Sequence, residues 1–250
     1  HLGAAGHFSM HAANNDMVGM CASAAGTGVL PTFAAEPRFG TNPISIAAPG
    51  NEEAPLLFDA ATSQIAGNKF SLARRVGSDL LPGWIADKEG TPILEETPVP
   101  EDGWYGSLLP VGGTRENGSH KGYGFMLLVD ILTGILSGAA VGATASKLVD
   151  SDTERARPAG AAQNTGHFFG ALRIDGFRPV EEFKEEMDEM FRVIRSSEKL
   201  PGWERIYIHG EDQWEAEKDR RTNGIPLDRP TYDGLIEISN DLGIALDIDQ

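Results

Sequence analysis

The chain has 250 residues, enough for one large domain or two small ones with a sizeable core. A formal charge of −16 argues against a nucleic-acid or anionic-membrane surface, which needs a basic patch. One cysteine, Cys21, leaves no intramolecular disulfide and points to a reducing, cytoplasmic setting, while 30 glycines and 15 prolines require many tight turns.

The first residues, His1-Leu-Gly-Ala-Ala-Gly6, are a dense small-residue run with no Met before it. A missing N-terminal segment is therefore expected, and with it any targeting sequence. His7, Phe8, Met10, His11 and Ala12 suit a short helix ending near Asn14-Asn15. Residues 17–22 read as a buried strand. His7 and His11 have the four-residue spacing of a metal pair, but Phe8 stands where a zinc protease carries its Glu, so no metal is expected. Gly3 and Gly6 predict a close backbone approach around His1.

Residues 22–40 form a Pro-punctuated crossing loop, and Gly40-Thr41-Asn42-Pro43 is a turn. A strand over 44–48 and an acidic loop at 51–54 follow. Leu56-Leu57-Phe58 is a second buried strand, ending at Asp59-Ala60-Ala61-Thr62-Ser63. An acid after an apolar strand suits either a ligand-contacting loop or the N-cap of a following helix. Residues 67–80 are helical with basic Lys69, Arg74 and Arg75. Pro82-Gly83-Trp84 then breaks the helix, and residues 95–106 are acidic and solvated.

A glycine-rich loop over 112–120 ends on Lys121 and leads into residues 123–136, apolar on every side apart from Asp130. Such a helix belongs in a core or a subunit interface. It falls short of the roughly 18 apolar residues of a membrane span. The loop sets backbone amides and one Lys at a helix N-terminus, where anions are favoured. Lys121 either meets a phosphate, ribose or carboxylate or is a solvated surface cation.

Residues 149–162 read as a long loop and 168–174 as a strand. Pro179 opens an amphipathic helix whose Val180, Phe183, Met187, Met190, Phe191 and Ile194 recur at helical spacing and read as core. A strand is expected over 205–209, a charged helix over 214–221 and a last helix over 232–242.

Several standard sites are absent. No G-x-G-x-x-G follows a strand. Gly113 and Gly118 have P-loop spacing, but Ser119-His120 replaces the Lys-Ser/Thr pair. No G-x-S-x-G elbow occurs.

Seven short motifs remain, in order: His1-Leu-Gly-Ala-Ala-Gly, Gly40-Thr-Asn-Pro, Phe58-Asp-Ala-Ala-Thr-Ser, Pro82-Gly-Trp, Gly112-Gly, Lys121-Gly-Tyr-Gly-Phe and Ile208-His-Gly-Glu. Together they resemble the malate/L-lactate, ureidoglycolate and related 2-hydroxyacid dehydrogenases over essentially the whole chain. The resemblance implies an α/β fold of mixed sheets with helices that binds NAD or NADP without a Rossmann fold. It implies one catalytic and cofactor-binding region over 1–250, with a helical segment around 178–250 as a candidate return to a second lobe. The implied partners are a 2-hydroxyacid or 2-oxoacid and a second copy in a homodimer, with no nucleic acid and no membrane.

By the same resemblance His1 is the catalytic acid/base, a role its unperturbed pKa of about 6.5 suits. Asp59, Ala60 and Ala61 form the cofactor loop, Lys121 is the cofactor-contacting lysine, and Gly210, Glu211 and Asp212 are the late cofactor loop. Ala25 stands where some members use a serine, and Gly26 where NAD-preferring members carry an acid, so NAD and NADP both remain open. Two departures stand out. The loop over 114–120 is longer than in compact members, and the family's N-terminal His and Arg, which line its substrate pocket, have no match here. The alternatives are an imine or diketo-acid reductase on the same scaffold, against which Lys69 stands in place of an acid, and a non-catalytic dinucleotide-binding module.

Overall fold

The computed structural model describes residues 2–24, 26–100, 107–142, 165–246 and 248. The chain divides into two compact units, His1–His209 and Gly210–Gln250. The first unit contains α1 (Ala5–Ala13), β1 (Met17–Ser23), β2 (Ile44–Ala48), β3 (Leu56–Ala60), α2 (Asn68–Val76), α3 (Ser119–Asp130), β4 (His167–Arg173) and α4 (Val180–Ser196). After α3 the helix widens into one π-helical stretch, Ile131–Ile135.

The four strands form one sheet in the order β3-β2-β1-β4, with every neighbour antiparallel. A sheet built this way lacks the parallel βαβ unit on which a Rossmann site depends. Helix α1 packs on β1 and β2 at backbone contact, because a Cβ on Gly19 would stand 1.9 Å from the Ser9 carbonyl oxygen. The Ser9 and Ser45 hydroxyls, 2.6 Å apart, satisfy one another in that dry layer. Helix α3 packs on β1, and the π-helical stretch packs on β1 and β4. A second core lies among the connections, where Val29, Phe39, Ile65, Phe70, Leu80, Ile85, Leu108 and Met126 are buried together.

Most elements fall where apolar periodicity places them, with four differences. Strand β3 is an edge strand, so its apolar residues are half-buried rather than buried, and Asp59 lies exposed within it rather than after it. No strand forms over 205–209: the Leu57 amide donates to the His209 carbonyl, while Arg205 stacks over the Tyr207 ring at 4.1 Å. The apolar helix starts at Ser119, four residues before its apolar run, and only one side of it is buried. Along α4, Phe191 is buried and Phe183 and Met187 are half-buried, whereas Met190 and Ile194 are exposed.

Helix α4 instead buries an acid. Asp188 is 2% exposed, and its carboxylate accepts the amides of Asn51, Glu52 and Glu53, pinning the acidic loop. Burial works to raise its pKa, but the three amides and Arg192 outweigh it and hold the carboxyl below its ordinary range.

The second unit contains α5 (Glu211–Asn223) and α6 (Arg229–Leu242). Asp228 caps α6 by accepting the Thr231 amide at 3.0 Å, with Pro230 in the first turn. The expected long loop over 149–162 lies outside the described residues, as do residues 101–106 of the acidic stretch. Among the described residues no helix is long and apolar enough to cross a membrane.

Candidate functional site

Five of the sequence motifs meet through three contacts within the first unit. The first contact involves Asp59 on β3, whose Oδ2 accepts the Gly6 amide at 2.7 Å. Gly6 is in the first turn of α1, whose own N-cap, Ala4, has no side-chain oxygen to offer. Asp59 is thus a helix cap, but of the helix that follows His1 and not of one that follows Asp59. Gly6 favours this approach, since a Cβ there would stand 3.0 Å from both Asp59 Oδ2 and Leu57 Cδ1 and would push those side chains aside.

The second contact joins the loop after β3 to the turn before β2. The Thr62 amide and hydroxyl donate to the Thr41 carbonyl, and the hydroxyl also donates to the Asn42 carbonyl at 2.9 Å. Asn42 sits at φ 39°, a left-handed conformation that Asn tolerates better than most residues. Its Nδ2 donates to Asp130 Oδ1 at 2.8 Å and to the Met126 carbonyl at 3.2 Å, both on α3. Burial pushes the Asp130 carboxyl above its ordinary range, and the Asn42 bond offsets only part of that.

The third contact seats the start of α3. The Val111 amide donates to the Thr62 carbonyl, and a Cβ on Gly122 would stand 2.4 Å from the Val111 carbonyl oxygen. Gly112, at φ 101°, passes so close to Gly118 that a Cβ would stand 2.5 Å from its carbonyl carbon. The loop over 112–118 therefore folds back on the head of α3. Its carbonyls also satisfy that helix end, with Ser119 donating to Thr114 and Gly118 to Arg115. The Gly118, Ser119 and Lys121 amides are in this way already bonded, and Arg115 and Lys121 are the cations of this segment. Lys121 is exposed, has no ion pair among the described residues, and lies with its methylenes 3.6–3.8 Å from where a Gly118 Cβ would stand.

The predicted site residues are distributed as follows. Asp59 and Ala60 end β3, Ala61 follows, and Lys121 stands in the first turn of α3; the Thr62–Val111–Gly122 contacts connect these two places. Gly210, Glu211 and Asp212 belong to the second unit, with Gly210 at φ 101° capping α5 and both acids in its first turn. His1 and Ala25 lie outside the described residues. Asn42, Thr62 and Asp130 were not among the predicted site residues. The available signal was Asp130 itself, a lone acid in an apolar helix that had to have a partner elsewhere.

Cys21 is buried on β1, and burial together with the Asp59 charge pushes its thiol up to about 11, so it is neutral at physiological pH and no nucleophile. Among the described residues no group of three or more His, Cys, Asp or Glu side chains could hold a metal ion.

The chain matches the family model described as malate/L-lactate dehydrogenase over residues 1–236. It is 41% identical over 245 residues to a malate dehydrogenase of Pyrococcus horikoshii, covering 98% of this chain and 64% of that protein. An L-sulfolactate dehydrogenase of Methanocaldococcus jannaschii is 36% identical over 247 residues, covering 99% of this chain and 65% of that protein. The chain thus spans a little under two thirds of the length of these relatives. A crystal structure of malate dehydrogenase from Entamoeba histolytica superposes with a TM-score of 0.86 at 33% identity, over 99% of this chain and 67% of the other. On these grounds the chain belongs to the malate/L-lactate dehydrogenase family.

Proposed function

We propose that the chain is the greater part of an NAD(P)-dependent dehydrogenase that interconverts a small 2-hydroxyacid and its 2-oxoacid. The observation that carries this reading is the Asp59–Gly6 bond. It ties the strand end proposed to bind the cofactor to the helix that follows His1 in sequence, which supports reading both as parts of one site. The residues fit a dinucleotide. Space within 4 Å of the Cβ positions of Gly3 and Gly26 is open, and both have a positive φ, so the backbone there can be approached closely. Lys121 offers a cation at the head of a helix, and the loop Asp59-Ala60-Ala61 offers an acid beside two small residues.

A bound nicotinamide supplies the hydride chemistry, and the protein supplies position and charge. In this reading His1 takes the hydroxyl proton when the hydroxyacid is oxidised and returns it when the oxoacid is reduced. Asp59 and Lys121 bind and orient the cofactor, the acid through ribose hydroxyls and the lysine through a phosphate or carboxylate. Gly210, Glu211 and Asp212, in the second unit, are cofactor contacts by the family resemblance alone. The active form is a homodimer, with the exposed side of α3 as its contact surface, and the setting is cytoplasmic.

The test is a panel of oxaloacetate, pyruvate and sulfopyruvate with NADH and NADPH on the full-length protein. The parent is expected to reduce at least one of these 2-oxoacids. Replacing His1→Asn is expected to lower kcat by about 10²–10⁴-fold while leaving NAD(P)H affinity within about twofold. Parental turnover in the variant across pH would remove His1 from the mechanism. Inertness of the parent towards every 2-oxoacid, with cofactor binding intact, would overturn the reaction.

A further inference from the structure

We infer that Asn42 and Asp130 form a positioning clasp that sets where Lys121 stands relative to the Asp59-Ala60-Ala61 loop. The inference rests on the cofactor role proposed above for Lys121.

The contacts close a circuit. The Asn42 side-chain amide holds two successive turns of α3, through Met126 O and Asp130 Oδ1. The Asn42 carbonyl accepts the Thr62 hydroxyl, three residues past Asp59. The Thr62 carbonyl accepts the Val111 amide, and Val111 meets Gly122, the residue after Lys121. Helix α3 runs back from Gly122 to Asp130 and completes the loop. Lys121 and Asp130 are nine positions apart, about 13 Å along the axis at 1.5 Å per residue, so a slide or rotation at one end is delivered to the other.

An apolar helix on an apolar bed is held by non-directional contacts, which tolerate small slides. A hydrogen bond of fixed geometry does not. The arrangement is also wasteful if stability is its only purpose. Asp130 is 4% exposed, and its Oδ2 has no hydrogen-bond partner among the described residues. Asn42 adds a left-handed backbone conformation. A leucine at position 130 would bury more cheaply, so the acid is better explained by the direction its bond imposes than by the energy it contributes.

The test compares NAD(P)H dissociation constants of the full-length protein, read by cofactor fluorescence, across four variants whose folding is checked by circular dichroism. Lys121→Ala is expected to weaken binding about tenfold or more, the consequence of losing a charged contact. Asp130→Leu is expected to weaken it about tenfold, and Asp130→Asn, which keeps an acceptor for Asn42, to stay within about threefold of the parent. The double variant Asp130→Leu/Lys121→Ala is expected to bind no worse than Lys121→Ala alone, because the clasp acts through the lysine. Should Asp130→Leu not fold, Thr62→Val opens the same circuit and is expected to weaken binding in the same direction. Parental affinity in the clasp variants, or effects of Asp130→Leu and Lys121→Ala that simply multiply, would overturn the clasp. Parental affinity in Lys121→Ala would instead overturn the cofactor role of the lysine, and the clasp's purpose with it.

Discussion

Asp59 Oδ2 accepts the backbone amide of Gly6 at 2.7 Å, so an acid on the edge strand caps a helix 53 positions earlier in the chain. The carboxylate answers an unsatisfied amide and the positive end of the α1 dipole at once. One residue therefore has a structural duty to α1 and a proposed duty to the cofactor, and two substitutions separate them. Asp59→Ala loses both, and is expected to cost about 1–2 kcal/mol of stability as well as cofactor affinity. Asp59→Asn keeps an oxygen for Gly6, so its thermal midpoint should stay near the parent while NAD(P)H binding falls. Thermal and denaturant melts with fluorescence titration on the same samples decide it. Equal affinity of Asp59→Asn and the parent would leave Asp59 a cap alone.

This bond shows what the sequence could and could not disclose. Both duties of Asp59 were readable, because an acid beside an apolar strand suits either. Which helix it caps was not, because nothing local joins position 59 to position 6. Similarly, the strands over 17–23 and 44–48 follow from local apolar patterning. The segment over 205–209 has that patterning too, and its failure to become a strand depends on its surroundings. Asp130 was visible as an anomaly, but its partner Asn42 lies 88 positions away. Local chemistry was thus legible element by element, and the long-range pairings that assemble the site were not.

Gly122 offers a purely steric prediction. In α3 a Cβ at this position would stand 2.4 Å from the Val111 carbonyl oxygen and 2.6 Å from its amide nitrogen, both backbone atoms that cannot swing aside. Alanine is the better helix former, by about 1 kcal/mol on intrinsic propensity. Overpacking costs typically 1–3 kcal/mol, and here it should win. Gly122→Ala is therefore expected to lower stability by about 1–2 kcal/mol in a denaturant melt and to weaken cofactor binding by displacing Lys121. A variant more stable than the parent would show that α3 and the backbone at Val111 are not in contact.

Asp188 predicts an acid-sensitive loop. Its folded-state pKa lies below its unfolded value, about 3.9 for a model Asp. The stability it adds is fully present above that unfolded value and is lost as pH falls through the depressed folded pKa. Asp188→Asn places a donor against the amides of Asn51, Glu52 and Glu53. The variant should be less stable at pH 7 by about 3 kcal/mol, as expected for breaking a buried charged network. The gap between parent and variant should narrow below about pH 4, where the unfolded chain takes up a proton that the folded carboxylate still resists. A gap constant from pH 7 to pH 3 would show that the charge on Asp188 is not what holds the loop.

The exposed side of α3 predicts how copies of the chain associate. Phe125 is 50% exposed, Leu128 54% and Ile135 65%, and with Ile131 they recur at three- and four-residue spacing along one line. Apolar stripes of this kind mark contact surfaces more often than solvent faces. In the proposed homodimer this stripe is the contact, and Leu128 stands at its middle. Truncating a central apolar anchor costs on the order of 2 kcal/mol, a factor of about 30 in affinity, and a buried unpaired charge costs more. Leu128→Glu is therefore expected to turn a dimer into a monomer at micromolar concentration, read by light scattering on a sizing column. Leu94→Glu, on an apolar residue somewhat more exposed and outside α3, controls for the added charge and should leave the dimer intact. A dimer that persists in Leu128→Glu would place the contact elsewhere, and a parent that is monomeric at every concentration would remove the homodimer.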